Sequence, residues 1–240
     1  QIDAGDLVFN TSATHDNGLG YTDFTFQVED QDGTLDPIAK TLTIDVTPVN
    51  DAPTGTATAE LASASEDQDG GYTVNVSTLL EGFSDVDEGD ILDVTALVAQ
   101  DESGNDFEVS RDGDVYTIAL PLNFNGTVSL TYDVTDGEAT IAANQSFEVT
   151  PVNDAPELTG PQATLIDGFE DTGYTVTLAD LLEGYTDVDL DTLSIVDLDA
   201  GPDFTVTPNL DGSYTIRAIA DNYNGPVNLT YKVSDGTTST

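Results

Sequence analysis

The chain has 240 residues and carries 46 Asp and Glu against 4 Lys and Arg, a formal net charge of -42. Such a surface repels nucleic acid and anionic lipid, and binding either would need a bridging cation. The absence of cysteine removes disulfides, thiolate metal sites and thiol nucleophiles together, and no apolar run approaches the ~20 residues that span a bilayer.

A disordered acidic chain is the first alternative for this composition, and ordered alternation of apolar residues argues against it. In chain order, the opening QIDAGDLVF lacks the pattern of a signal peptide, and the chain reads as an internal excerpt. Phe24, Phe26 and Val28 then alternate with polar residues and run into Glu29-Asp30-Gln31-Asp32-Gly33. Leu42, Ile44 and Val46 follow and lead to Val49-Asn50-Asp51-Ala52-Pro53. His15, the single histidine, sits in a Thr-His-Asp-Asn stretch and is expected to be a solvated loop residue.

From residue 51 a complete unit begins. Glu66-Asp67 precedes Tyr72, Val74 and Val76, which alternate with Thr73, Asn75 and Ser77 as a half-buried strand. Leu79-Leu80-Glu81-Gly82 hints at one helical turn before the acidic loop Asp85-Val86-Asp87-Glu88-Gly89-Asp90. Asn123-Phe124-Asn125-Gly126 then opens a further alternating strand, Val128, Leu130, Tyr132 and Val134, which ends at Asp136-Gly137.

The same landmarks return about a hundred residues later. Val152-Asn153-Asp154-Ala155-Pro156 repeats the linker, and Glu170-Asp171 repeats Glu66-Asp67. Leu181-Leu182-Glu183-Gly184-Tyr185-Thr186-Asp187-Val188-Asp189 repeats the helical turn and acidic loop. Asn222-Tyr223-Asn224-Gly225 and Asp235-Gly236 close the series. Self-similarity in this order marks a tandem array. Residues 1–50 are the C-terminal half of one copy, 51–152 a complete copy, and 153–240 a copy lacking its last strand, whose absence leaves an exposed edge. Short strands separated by Gly, Asp and Asn turns predict an all-β fold of tandem Greek-key β-sandwiches arranged as an extended rod. The repeated aromatics Tyr116/Tyr214, Phe124/Tyr223 and Tyr132/Tyr231 are expected in the cores.

In a seven-strand Greek key the loops alternate between two ends. That places Glu66, Asp67 and the loop of Asn123 and Asn125 at the far end of the second copy. Asn153, Asp154, Asp187, Asp189, Asp191 and Asp235 gather at the near end of the third. The preceding junction collects Asn50, Asp51, Asp85, Asp87, Asp90 and Asp136. Carboxylates ~5 Å apart at an effective dielectric near 20 repel by about 3 kcal/mol per pair. The whole chain offers only Lys40, Arg111, Arg217 and Lys232 as basic groups besides His15. A hard divalent cation resolves the conflict, and oxygen-only ligands favour calcium over zinc or copper, with magnesium fitting less well. The plainer alternative is that loop Asp, Asn and Gly only form turns. It accounts for Asp101, Asp106, Asp112 and Asp211, but poorly for Asp-x-Asp pairs that recur with the linker and the late Asp-Gly.

The Val-Asn-Asp-Ala-Pro linker, the Asp-x-Asp loop, the acidic residue after the first strand and the late Asp-Gly resemble cadherin-type repeats. They are most similar to the bacterial cadherin-like tandem repeats of giant RTX-type adhesins. The resemblance implies a cadherin/immunoglobulin-like sandwich, type I secretion by a Gram-negative bacterium and attachment at the cell surface. It also implies calcium-clamped rods that extend a distal ligand-binding domain, and biofilm formation. The linker lacks the longer animal form, so three calcium ions per junction do not follow. No amino-terminal Trp is present for strand exchange.

The expected role is therefore a monomeric spacer whose partners are the neighbouring repeats of its own chain, joined through calcium-bridged linkers, without membrane insertion. A glycan- or protein-binding sandwich module is the alternative, and no unique insertion rich in Trp, Tyr or Arg marks one. A glycosidase built on Asp85 and Asp87 is disfavoured because the pair recurs at Asp187 and Asp189. With a single histidine, nucleophilic catalysis has no evident base.

Overall fold

The computed structural model describes residues 9–11 and 15–240. Residues 1–8 and 12–14 of the half copy read at 1–50, including most of the opening stretch, lie outside the described residues. The chain forms two compact units, residues 1–150 and 151–240. Among the described residues, no helix is long and apolar enough to cross a membrane.

The first unit opens with an antiparallel hairpin of β1 (Gly18–Phe26) and β2 (Lys40–Val46), in which Phe24 faces Leu42. The sandwich follows with β3 (Thr54–Gly55), β4 (Ala64–Ser65), β5 (Tyr72–Asn75), α1 (Val76–Leu79) and β6 (Phe83–Ser84). It continues through β7 (Asp93–Gln100), β8 (Glu108–Asp112), β9 (Val115–Ala119), β10 (Gly126–Thr135) and β11 (Thr140–Thr150). One sheet runs β4-β11-β10-β7, a second β5-β9-β8, and β3 pairs with β6. All pairings are antiparallel except β4 with β11.

The two main sheets share one core because each strand's alternate side chains point the same way. Val128, Leu130, Tyr132 and Val134 are buried, while Ser129 and Thr131 between them are exposed. Tyr72 of β5 stacks on Phe147 of β11 with ring centroids 3.7 Å apart. The Tyr116 hydroxyl reaches from β9 to the Val94 carbonyl of β7 at 2.7 Å. Tyr132 donates to the Leu79 carbonyl, and burial pushes its phenol pKa up to about 12.

The second unit repeats this order with β12 (Glu157–Leu158), β13 (Tyr174–Val176), α2 (Leu178–Leu182), β14 (Tyr185–Thr186), β15 (Ser194–Asp199), β16 (Phe204–Pro208), β17 (Tyr214–Ala218) and β18 (Thr230–Ser234). Its sheets are β13-β17-β16, β15-β18 and β12-β14. The buried core is smaller: Val176, Leu181, Ile195, Ala200, Ile216 and Val233. The all-β fold agrees with the alternation in the sequence.

The helical turn lies earlier than the sequence implies. Val76, read as the last strand residue, starts α1, and Leu80 only caps it. Its side chain is buried either way, so alternation alone does not separate the two assignments. In the second unit a capping box between Thr177 and Asp180 fixes the start.

Each turn ends at a glycine in the left-handed region, Gly82 at φ 92 and Gly184 at φ 87. A Cβ at Gly184 would press on the carbonyl oxygens of Gly160 and Pro161, so no larger residue fits. The chain leaves this glycine directly into β6 or β14. These short strands pair with β3 and β12, immediately after the Asn-Asp-Ala-Pro linker. Pro53 and Pro156 are fully buried and pin the linker against the sandwich. The acidic loops thereby reach the linkers, where Asp87 meets Asp51 and Asp189 meets Asp154.

Candidate metal centres

In the first unit the near-end loops are tied by carboxylates acting as acceptors. The Asp51 backbone N–H donates to Asp87 Oδ2 at 2.7 Å, and the Asp87 N–H donates to Asp85 Oδ1 at 2.8 Å. Asn50 Nδ2 donates to the Asp51 carbonyl at 3.0 Å and to Asp136 Oδ2 at 3.1 Å. Asp136 Oδ1 takes the backbone N–H groups of Glu138 and Ala139, both at 2.7 Å.

These bonds leave Asp85 Oδ2 buried without a hydrogen-bond partner, a costly state for a carboxylate oxygen. Carboxylate oxygens of Asp85, Asp90 and Asp136 lie within 4.8 Å of one another. Lost hydration, followed by the charges of Asp85, Asp87, Asp136 and Glu138, holds the exposed Asp90 carboxyl above its ordinary pKa. The Ala139 and Glu138 N–H groups, with a smaller part from Asn50, hold Asp136 below it.

The second unit rebuilds the arrangement from its own residues. The Asp154 N–H donates to Asp189 Oδ2 at 2.8 Å, and the Asp189 N–H donates to Asp187 Oδ1 at 3.0 Å. Asn153 Nδ2 donates to the Asp154 carbonyl at 2.8 Å and to Asp235 Oδ2 at 2.9 Å. Asp187 Oδ2 is again buried without a partner. The acidic trio differs: here it is Asp187, Asp189 and Asp191. Asp235 instead sits far below the usual carboxylate range, chiefly through the Thr238 hydroxyl and also through Asn153 and two backbone N–H groups.

At the far end of the first unit, Asp67 Oδ1 accepts the Asn123 N–H at 2.8 Å. Asn125 Nδ2 donates to Glu66 Oε2 at 2.9 Å, and Glu66 is buried. Asp67 and Asn123 both take left-handed backbone, φ 59 and 57, a conformation Asp and Asn tolerate better than other side chains. Asp171 and Asn222 repeat it at φ 60 and 58 and share the same bond at 2.7 Å. Glu170, by contrast, is exposed.

The oxygen-only donor sets with an orphaned buried oxygen suit a hard divalent cation. The Lys and Arg ion pairs lie elsewhere: Arg111 on Asp93, Lys40 on Asp36 and Lys232 on Asp197. His15 is an exposed turn residue, in line with its reading as a solvated loop residue, and it also has a long-range partner. Its Nδ1 lies 2.6 Å from Asp51 Oδ2, a contact between residues 36 apart that spacing does not reveal. Thr238 is missed by the sequence reading, and only its neighbour Asp235 signals it, whereas Asn125 stands in the far-end loop where the repeat places it and bonds Glu66 there. Asp101 and Asp211 behave as turn formers, accepting from Ser103 and Asn105 and from Ser213.

The family model for a cadherin-like domain matches residues 49–150 and 152–240. Among solved structures, an endo-fucoidan hydrolase of glycoside hydrolase family 107 is 25% identical over 91% of this chain and 32% of its own, with a TM-score of 0.33. The human desmocollin-1 ectodomain is 15% identical over 88% and 43%, with a TM-score of 0.35. Mouse clustered PcdhgC3 EC1-3 is 17% identical over 91% and 72%, with a TM-score of 0.40. Superpositions this loose carry no argument about activity. The chain spans about a third of the length of the hydrolase it matches. No curated protein matches it.

Proposed function

The chain belongs to the cadherin-like domain family, and from that premise we propose that its repeats are calcium-rigidified spacers of a large bacterial cell-surface adhesin. Cadherin-like domains are adhesion-type extracellular modules and not enzymes. The finer reading is a type I secreted, RTX-type adhesin of a Gram-negative bacterium, serving adhesion or biofilm formation. Its three copies, at 1–50, 51–152 and 153–240, work as a monomeric rod.

One observation carries this reading. Two repeats with different cores build the same near-end constellation, and each leaves one buried aspartate oxygen without a donor. Calcium supplies what those oxygens lack: a hard positive centre accepting six to eight oxygen ligands. In the first unit Asn50, Asp51, Asp85, Asp87, Asp90 and Asp136 would hold it. In the second, Asn153, Asp154, Asp187, Asp189 and Asp191 would do so. Short linkers otherwise permit hinge motion between domains, so an ion bonded to linker and loops together restricts it. Extracellular modules bind calcium with dissociation constants of about 10⁻⁴ to 10⁻³ M. Calcium at ten times the dissociation constant stabilises each site by about 1.4 kcal/mol.

Thermal melting paired with small-angle scattering, in calcium, in magnesium and without either, tests the reading. A calcium-specific rise in melting temperature, with scattering moving to a rod-like profile, is expected. A chain indifferent to calcium would overturn it.

A further inference from the structure

The two late aspartates, Asp136 and Asp235, stand at equivalent positions yet differ in how much of their carboxylate is left over. In both, Oδ1 accepts two backbone N–H groups: Glu138 and Ala139 in the first unit, Thr237 and Thr238 in the second. In both, Oδ2 accepts the linker asparagine, Asn50 or Asn153. The second unit adds one donor. The Thr238 hydroxyl reaches Asp235 Oδ2 at 2.6 Å, whereas its counterpart Ala139 has no hydroxyl to offer. A carboxylate oxygen has two lone pairs, so Asp235 Oδ2 is saturated while Asp136 Oδ2 keeps one open.

The acidic trios follow this difference, with Asp136 joining Asp85 and Asp90 but Asp235 absent from the group of Asp187, Asp189 and Asp191. The loop between them differs as well. The second unit has Leu190 where the first has Glu88-Gly89, and this leucine is forced to φ 63. Its shorter loop returns Asp191 toward Asp187 and Asp189. The turn itself does not depend on Thr238. Thr135 and Ser234 hold it identically, each donating to the carbonyl at position 139 or 238 and accepting from the following glycine N–H.

We propose that the Thr238 hydroxyl withdraws Asp235 from the second unit's cation site, so that the residue three positions after the late aspartate selects which carboxylates hold the ion. This rests on the calcium reading given above. The two repeats then bind calcium with different ligand sets, one using the late aspartate and one relying on its loop.

Calorimetric calcium titration of the full chain tests it, with D85N silencing the first unit when the second is read and D187N for the reverse. In the D85N chain, T238V should tighten calcium binding by roughly tenfold, the equilibrium worth of one competing hydrogen bond, while T238S should behave as threonine does. In the D187N chain, A139T should weaken binding by a similar factor. The side-chain carboxyl ¹³C resonance of Asp235 should move on calcium addition in T238V and stay still with Thr238 present. Calcium uptake unchanged by T238V and A139T, with an Asp235 resonance indifferent to the substitution, would overturn the role of Thr238 and leave the calcium reading standing. A chain that takes up no calcium would fail the calcium reading itself.

Discussion

The two sandwiches have the same near-end arrangement and differ in the extent of one sheet and of the core beneath it. In the first, β11 covers both β4 and β10, and the core extends from Ala64 to Val149. In the second, β18 pairs with β15, and Tyr174, the counterpart of the fully packed Tyr72, is only partly buried. Yet the bonds from linker to acidic loop agree closely, 2.7 against 2.8 Å for the linker aspartate and 2.8 against 3.0 Å inside the Asp-x-Asp pair. The near-end geometry therefore belongs to the loops and their short strands, and tolerates a large change in the sheets beneath.

The sharpest way to break the comparison is in the cores. Leu130 is completely buried, while its counterpart Leu229 is only partly so. Leu130→Ala should cost about 2–5 kcal/mol, with Leu229→Ala at or below the lower end of that range. Hydrogen exchange read separately over each unit checks this, and equal losses would deny the difference in packing.

Next in size is the cation effect. Asp85→Asn should abolish the calcium-dependent stabilisation of the first unit, about 1.4 kcal/mol at ten times the dissociation constant. It should leave exchange in the second unit unchanged, with Asp187→Asn giving the mirror result. If either substitution removes the response of both units, the near ends are not independent.

The far ends should differ more modestly. Glu66 is buried and accepts from Asn125, so Glu66→Ala should destabilise the first unit by about 0.5–1.5 kcal/mol. Glu170 is exposed, and Glu170→Ala should fall within ~0.5 kcal/mol of the parent. Urea denaturation of both variants measures the contrast.

Acid response should separate the units least. Asp136 and Asp235 have depressed pKa values, so their contribution is present above the ordinary carboxylate pKa and lost as pH falls through the folded value. Asp90 is raised. Its contribution is present below the ordinary value and lost as pH rises through the folded one, opposing Asp136 within the first unit. In cation-free buffer, acidification should loosen the second unit more than the first. Asp90→Asn should make the first unit more acid-sensitive, as read by exchange across the carboxylate range.

Much of this protein was legible in its residues because the relevant forces act over a few positions. Period-two alternation in Val128 to Val134 marks a strand whichever sheet it joins. The bond from Asp87 N–H to Asp85, or from Glu138 N–H to Asp136, spans two residues and forms wherever that loop forms. The repeated linker, the acidic loops and the all-β class were therefore readable without coordinates.

Contacts between distant positions were not. The bond of His15 to Asp51, the burial of Glu66 beneath Asn125 and the choice of Asp136 but not Asp235 for an acidic trio join residues tens of positions apart. The start of α1 at Val76 was hidden for a related reason, since that position is buried in a helix and in a strand alike. By itself the sequence determined a tandem array of acidic β-sandwiches with carboxylate-rich loops. Only the tertiary structure decided which oxygens are left without donors, because that depends on how separate loops use one another's lone pairs once the strands have brought them together.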